Sequence, residues 1–214
     1  MRPRYKHIVW DWNGTLVNDS WLAVDVMNQT LARRNMQLLD LATYQKIFCF
    51  PVKDYYKRLG FDFIEESFEV VGTEFMKNYE ARKFEIGLHA RVEQVLTQLS
   101  TQGIKHSILS AYKQEYLEEL VAHLDVGKHF NSIIGLDNHY AHSKVERGVQ
   151  WLKNSADPAS EILFIGDTEH DYEVAEAMGV ASVLISRGHQ SREILEATGA
   201  AVLDSISDVI EYCT

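Results

Sequence analysis

Apolar residues follow two patterns along this 214-residue chain. Short unbroken runs bounded by turn residues read as buried strands: His7 to Trp12, Ser107 to Ser110, Ile133-Ile134, Ile162 to Ile165, Val183 to Ile185 and Ala201 to Leu203. Between them, apolar positions three and four residues apart mark helices. One runs from His89 to Gly103 with Val92, Val95, Leu96 and Leu99 at core spacing. Another carries Leu117, Leu120, Val121 and Leu124. A third spans Ser143 to Lys153, and a fourth about Asp171 to Met178, stopped by Gly179. Strand and helix alternate, which predicts an α/β fold built on a doubly wound parallel sheet. One stretch breaks the alternation. After the N-cap residues Asn18, Asp19 and Ser20, the pattern is helical to about Phe84, with no strand. Leu22, Val26, Met27 and Leu31 share one helix side, and Pro51 opens a short helix that Gly60 ends. Asp62 with Glu65 reads as a capping box opening a long amphipathic helix through Phe63, Phe68, Val71, Phe75 and Tyr79. The expected organisation is a core of residues 1–16 and 87–214, with an all-helical domain of residues 17–86 inserted over the C-terminal edge of the sheet.

Composition narrows the function classes. A hydrophobic fraction of 46% and a charged fraction of 24% are those of a soluble globular protein. The net charge of -10 argues against a nucleic-acid or anionic-membrane partner, either of which needs a basic footprint. It leaves room for a phosphorylated substrate, because one metal ion and one lysine reverse the field locally. Cys49 and Cys213 form no CxxC pair and are expected as free thiols in a reducing cytoplasm. The basic start Met1 to Lys6 precedes only a strand-length apolar run, so it is not read as a signal peptide, and no run is long enough to span a membrane. A monomer and a homodimer are equally compatible with these features.

Chemistry concentrates where the predicted strands end. Asp11, Asn13 and Thr15 follow the first strand in Asp11-Trp12-Asn13-Gly14-Thr15. Ser110 ends the second. Lys144 stands at a helix start. Gly166-Asp167-Thr168-Glu169-His170-Asp171 follows a later strand. Parallel strands bring all these ends to one face of the sheet. The residue types suit phosphoryl transfer through an aspartyl-phosphate, with a carboxylate as nucleophile. Magnesium takes oxygen ligands, which Asp11 and Asp167 can supply, with Asp171 one helical turn on as an outer ligand or support. Ser110 and backbone N–H groups after Asp11 can hold phosphoryl oxygens, and Lys144 can balance their charge.

The order Asp-x-Asn-Gly-Thr, Ser, Lys, Gly-Asp-x-x-x-Asp resembles the haloacid dehalogenase superfamily along the whole chain, and within it the phosphoglycolate phosphatase-like branch. The resemblance implies a magnesium-dependent phosphatase for a small phosphorylated metabolite, with the helical insert as a cap over the site. It makes Asp11 the nucleophile and Lys144 the bridging cation. Gly14, Thr15, Ser110 and Ala111 become the substrate-binding residues. Asp11, Asp167, Asp171 and the backbone carbonyl of Asn13 hold the metal. Two departures stand out. Phosphatases of the family usually carry a second aspartate at the position of Asn13, where it protonates the leaving oxygen and activates the hydrolytic water. An asparagine exchanges no proton at neutral pH, and general acid–base help is worth roughly 10²–10⁴ in rate. Asp19, His170 or a bound water are the unranked replacements. Val145 stands where many relatives have proline, with Lys128 the fallback for Lys144.

Two further readings differ in class. Phosphonate-cleaving relatives also lack the second aspartate and use a cap lysine as a Schiff base. Lys53 falls near that place, though such relatives have alanine rather than asparagine. Alternatively, the chain is a catalytically weak binder of phosphorylated ligands. A metal-free dehalogenase is disfavoured by the Gly-Asp-x-x-x-Asp pattern. His139 and His142 have helical ligand spacing but no third ligand. Trp10, Trp12 and Trp21 are expected to pack rather than to stack on bases. Tyr44, Phe48, Phe50, Tyr55 and Tyr56 are expected to form most of a small core in the insert, with one or two facing the substrate. Arg187-Gly188-His189 follows a strand end and has two readings, a contact with the insert or substrate and a plain helix-capping loop, of which the second is preferred.

Overall fold

The computed structural model describes residues 4–137 and 144–213. Its strands and helices are, in chain order, β1 (His7–Trp10), β2 (Val17–Asn18), α1 (Ser20–Ala32), α2 (Leu41–Ile47), α3 (Val52–Arg58), α4 (Phe68–Glu80), β3 (Gly87–Leu88), α5 (Val92–Thr101), β4 (Lys105–Lys113), α6 (Gln114–His123), β5 (Ser132–Leu136), α7 (Lys144–Asn154), β6 (Ile162–Gly166), α8 (Glu169–Met178), β7 (Ala181–Ile185), α9 (Arg192–Ala197), β8 (Ala201–Leu203) and α10 (Val209–Cys213). Six strands make one parallel sheet in the order β5-β4-β1-β6-β7-β8. β1 is central, with His7 opposite both Lys105 and Ile162. Every residue of β1 and β6 is buried, which is why both read as unbroken apolar runs. Alternation sends Ile8 and Trp10 to one face, packed with Val95, Leu99 and Leu117, and Val9 to the other, packed with Val174 and Met178.

Three local expectations change. β4 runs on to Lys113, past Ser110, with an irregular register between Leu109 and Lys113. A two-stranded antiparallel pair, β2 with β3, joins the points where the chain enters and leaves the helical stretch. Two residues per strand are too few for alternation to show in sequence. The long helix starts at Phe68, not at Asp62. Phe63 has φ +58, which breaks a helix there; Asp62 accepts from the N–H of Ile64, and Ser67 caps α4 instead.

α1 to α4 share an apolar cluster of their own, including Met27, Leu31, Tyr44, Tyr56 and Val71. The cavity described below lies between these helices and the C-terminal ends of β1, β4 and β6. Among the described residues, no helix is long and apolar enough to cross a membrane.

His106, fully buried on β4, accepts from the Trp10 indole at 3.1 Å and bonds the Leu96 carbonyl at 3.2 Å, a pairing that needs the neutral ring. Burial pushes it down to about 4. The unfolded chain therefore takes up this proton first as pH falls below about 6.5, so the contribution is present above that pH and is lost toward 4. Urea unfolding at pH 7 and pH 5 is expected to differ by about 2 kcal/mol more in the wild type than in His106→Gln. Equal pH sensitivity would remove His106 from the account.

Candidate active site

Asp11 lies one residue beyond β1, and its N–H still donates to the Ile165 carbonyl at 2.8 Å. The chain then turns sharply, with the N–H groups of Leu16 and Val17 both donating to the Trp12 carbonyl. Asp167 follows β6 in the same way. Thr168 caps α8 in a reciprocal box with Asp171. One Asp171 oxygen accepts from the N–H groups of Asp167 (3.1 Å) and Thr168 (2.9 Å) and from the Thr168 hydroxyl (2.7 Å). Its other oxygen takes the Lys144 ammonium at 2.5 Å, and the same ammonium bonds Asp11. Lys144 is the first residue of α7 and is buried with both partners.

Oxygens of Asp11, Asp167 and Asp171 lie within 4.8 Å of one another, all three residues buried. Burial pushes Asp11 up to about 8, opposed by Lys144 and reinforced by Asp171 and Asp167. Burial likewise lifts Asp167 to about 6 against the pull of His189. At Asp171 burial acts in the same sense, but Lys144 and Thr168 outweigh it and hold the acid below its ordinary range. Three converging acids share one lysine. Such an all-oxygen set fits a hard divalent cation of the magnesium type.

Asp11, Asn13, Ser110, Ala111, Lys144 and Asp171 all line one cavity of about 520 Å³. Gly14 and Thr15 do not line it. The Thr15 hydroxyl instead donates to Asp167 at 2.7 Å, and Gly14 serves through its backbone, donating to Asp19 at 2.7 Å and accepting from His89 at 3.0 Å. The Thr15 hydroxyl and the Gly14 backbone thus hold other parts of the site together. A Cβ at Gly14, where φ is +77, would fall 2.3 Å from Asp167 Oδ2. Ser110 is buried with its hydroxyl accepting from the N–H of Tyr112 at 3.1 Å.

Asn13 is held by a network that the sequence did not reveal. Its amide nitrogen donates to Asp19 (2.9 Å) and to the Tyr79 hydroxyl (3.1 Å). Asp19 occupies the N-cap position of α1 yet makes no cap bond. Its oxygens are taken by Asn13, Gly14, Tyr79 (2.6 Å) and His189 (3.2 Å). Burial would raise the Asp19 acid, but His189, Tyr79 and Asn13 together hold it below its ordinary range. Burial would lower His189, but Asp19 and Asp167 outweigh it and hold the imidazole up at about 9. Its second nitrogen meets the Tyr44 hydroxyl at 2.7 Å. The segment read as a capping loop therefore belongs to the site. The N–H of His189 donates to Asp167 at 2.7 Å, and a Cβ on Gly188 would lie 2.0 Å from that carboxylate.

Other candidates fall elsewhere. Lys53 is exposed and lies over the rings of Phe63 and Phe68, outside the cavity wall. Lys128 pairs with Asp125 at 3.3 Å and borders a separate surface groove. His139 and His142 lie outside the described residues. Trp10 and Trp12 are fully buried, and Trp21 is 38% exposed beside Arg82. His170 lines the cavity against Phe50 and bonds Glu173 at 2.9 Å.

Comparison with known proteins gives a consistent picture. The family described as haloacid dehalogenase-like hydrolase matches residues 8–185. A phosphoglycolate phosphatase of Pseudomonas syringae pv. tomato is 28% identical across 97% of this chain and 79% of its own length. The crystal structure of a predicted phosphatase from Clostridium acetobutylicum superposes with a TM-score of 0.83 at 19% identity, covering 97% of both chains. Protein tyrosine kinase A of Mycobacterium tuberculosis shares the fold as well, with a TM-score of 0.82 at 20% identity over 98% of each chain.

Proposed function

Because this chain belongs to the haloacid dehalogenase-like hydrolases, we propose that it is a magnesium-dependent phosphatase acting on a small phosphorylated metabolite through a phospho-Asp11 intermediate. The convergence of Asp11, Asp167 and Asp171 within 4.8 Å, with Asp11 and Asp171 lining the cavity and Asp167 behind them, carries this reading. Those three carboxylates, with the backbone carbonyl of Asn13, would hold the cation. When bound, it would draw charge from the phosphoryl oxygens and offset the repulsion between substrate and carboxylates.

An Asp11 oxygen attacks phosphorus as the bond to the leaving oxygen breaks, and water then releases inorganic phosphate and restores the carboxylate. Lys144, fixed between Asp11 and Asp171, stays charged and offsets the negative charge gathered in the transition state. The Ser110 hydroxyl and the N–H of Ala111 hold phosphoryl oxygens. Thr15 and the N–H of His189 fix Asp167. Helices α1 to α4, within residues 17–86, act as the cap that admits substrate and excludes water. Buried free thiols at Cys49 and Cys213 are in keeping with a cytoplasmic setting. The phosphonate-cleaving alternative needs a lysine of the helical insert in the cavity, and Lys53 does not line it.

Release of inorganic phosphate from a panel of phosphomonoesters, with and without magnesium, tests this reading. Turnover should appear with magnesium and vanish with a chelator. Phosphate should be released to water rather than passed to a protein tyrosine. Binding of phosphorylated ligands without release from any ester would favour the weak-binder reading and sink this one.

A further inference from the structure

We infer that the substrate is a phosphate ester of a phenol, an uncharged aromatic group of one or two rings, rather than a phosphorylated carboxylic acid. This deepens the phosphatase reading and rests on it. Two independent observations meet here.

The first is the wall facing Asp11. Aromatic rings dominate it, among them Phe48, Phe50, Tyr55, Phe68 and Phe75. Among the described lining residues the sole lysine or arginine is Lys144, already bonded to Asp11 and Asp171. His189 is committed to Asp19. His170 is bonded to Glu173, so a substrate carboxylate would find no lysine or arginine free to receive it and would share the cavity with Glu69. A two-carbon acid would also leave most of the 520 Å³ empty. A ring would bury apolar surface against other rings at favourable geometry. Gly72 adds to this. It lies inside α4, where glycine weakens a helix relative to alanine. It also lines the cavity, and a Cβ there would meet only Phe68, at 3.9 Å. No backbone strain requires glycine at this place; its small size keeps the cavity wide.

The second observation is chemical. Asn13 has no acid proton to give up, Asp19 is an acceptor in all four of its contacts, and His170, the remaining candidate, is bonded to Glu173. An aliphatic alkoxide leaves poorly without a proton donor. A phenol, with a pKa near 10 like tyrosine, leaves as phenoxide when the P–O bond breaks, and its oxygen takes a proton from solvent afterwards.

With magnesium present, kcat/KM is measured for phenyl phosphate, 1-naphthyl phosphate, cyclohexyl phosphate and 2-phosphoglycolate. The two aryl esters should exceed the others by about 100-fold or more. Calorimetry with non-hydrolysable analogues gives a readout apart from turnover, and benzylphosphonate should bind at least ~10-fold more tightly than phosphonoacetate. Gly72→Leu should lower the preference for phenyl phosphate over acetyl phosphate by about 10-fold or more, with Gly72→Ala intermediate. Equal or better handling of 2-phosphoglycolate or cyclohexyl phosphate overturns the inference and leaves the phosphatase reading standing. Neither turnover of any ester nor binding of either phosphonate overturns both.

Discussion

Asp11→Asn should lower phosphate release from every ester by about 10⁴-fold or more, without unfolding the protein. The amide keeps the shape of the carboxylate but offers no anionic oxygen to phosphorus. Nothing nearby can substitute: Asp167 is held by Thr15 and His189, and one Asp171 oxygen takes three donors while the other takes Lys144. The substitution also relieves crowding. Burial and the neighbouring acids lift Asp11 to about 8 from the ordinary 3.8, so its ionisation in the folded, metal-free protein is unfavourable. The unfolded chain ionises first, and this residue therefore reduces stability increasingly as pH rises from about 4 to 8. The metal-free variant should be at least as stable as the wild type, with the gap widening over that range. Phosphate assays, thermal unfolding across pH, and mass spectrometry of acid-quenched protein check these points. The wild type should carry a phosphoryl adduct and the variant none. Activity within tenfold of wild type would end the nucleophile assignment.

How far the site could be read from the sequence depended on distance along the chain. The ends of β1 and β6 were legible because both strands are buried on both faces, so their runs stop where the chemistry starts. The hydroxyl of Thr15 was visible but its partner was not, since Asp167 lies 152 residues away. Asp19 illustrates a local ambiguity. An aspartate before a helix ordinarily caps it, and only the tight turn at Gly14 redirects this carboxylate to the motif. Tyr79 and His189 close the network from α4 and from the loop after β7, contacts with no local signature. Arg187-Gly188-His189 did carry one hint, a glycine just past a strand end. Its reason is close approach to Asp167. The aromatic residues between Tyr44 and Tyr56 were legible as packing. That Phe48, Phe50 and Tyr55 also form the cavity wall follows from how α2 and α3 sit over the sheet.

Asn13→Asp should raise kcat/KM for alkyl phosphates by about 100-fold while changing aryl phosphates by only a few-fold. The asparagine nitrogen lies 2.9 Å from Asp19 Oδ2 and 3.1 Å from the Tyr79 hydroxyl. An oxygen in its place faces a buried carboxylate. Two ionised acids at that separation repel strongly, so the pair retains a proton to higher pH than an isolated aspartate would. Asp19 is the poorer holder of that proton, because His189, Tyr79 and the N–H of Gly14 all stabilise its ionised form. The proton accordingly resides on the new carboxyl, at the cavity, where a leaving alkoxide can take it. The same crowding should lower stability by about 1–3 kcal/mol, read by urea unfolding. Asn13→Ala serves as the control, since it breaks the contact with Asp19 without adding an acid and should give no gain on alkyl esters. An unchanged alkyl rate in Asn13→Asp, with the fold intact, would mean that another group already donates the proton. His170, in the cavity wall against Phe50, would then be the next residue to replace.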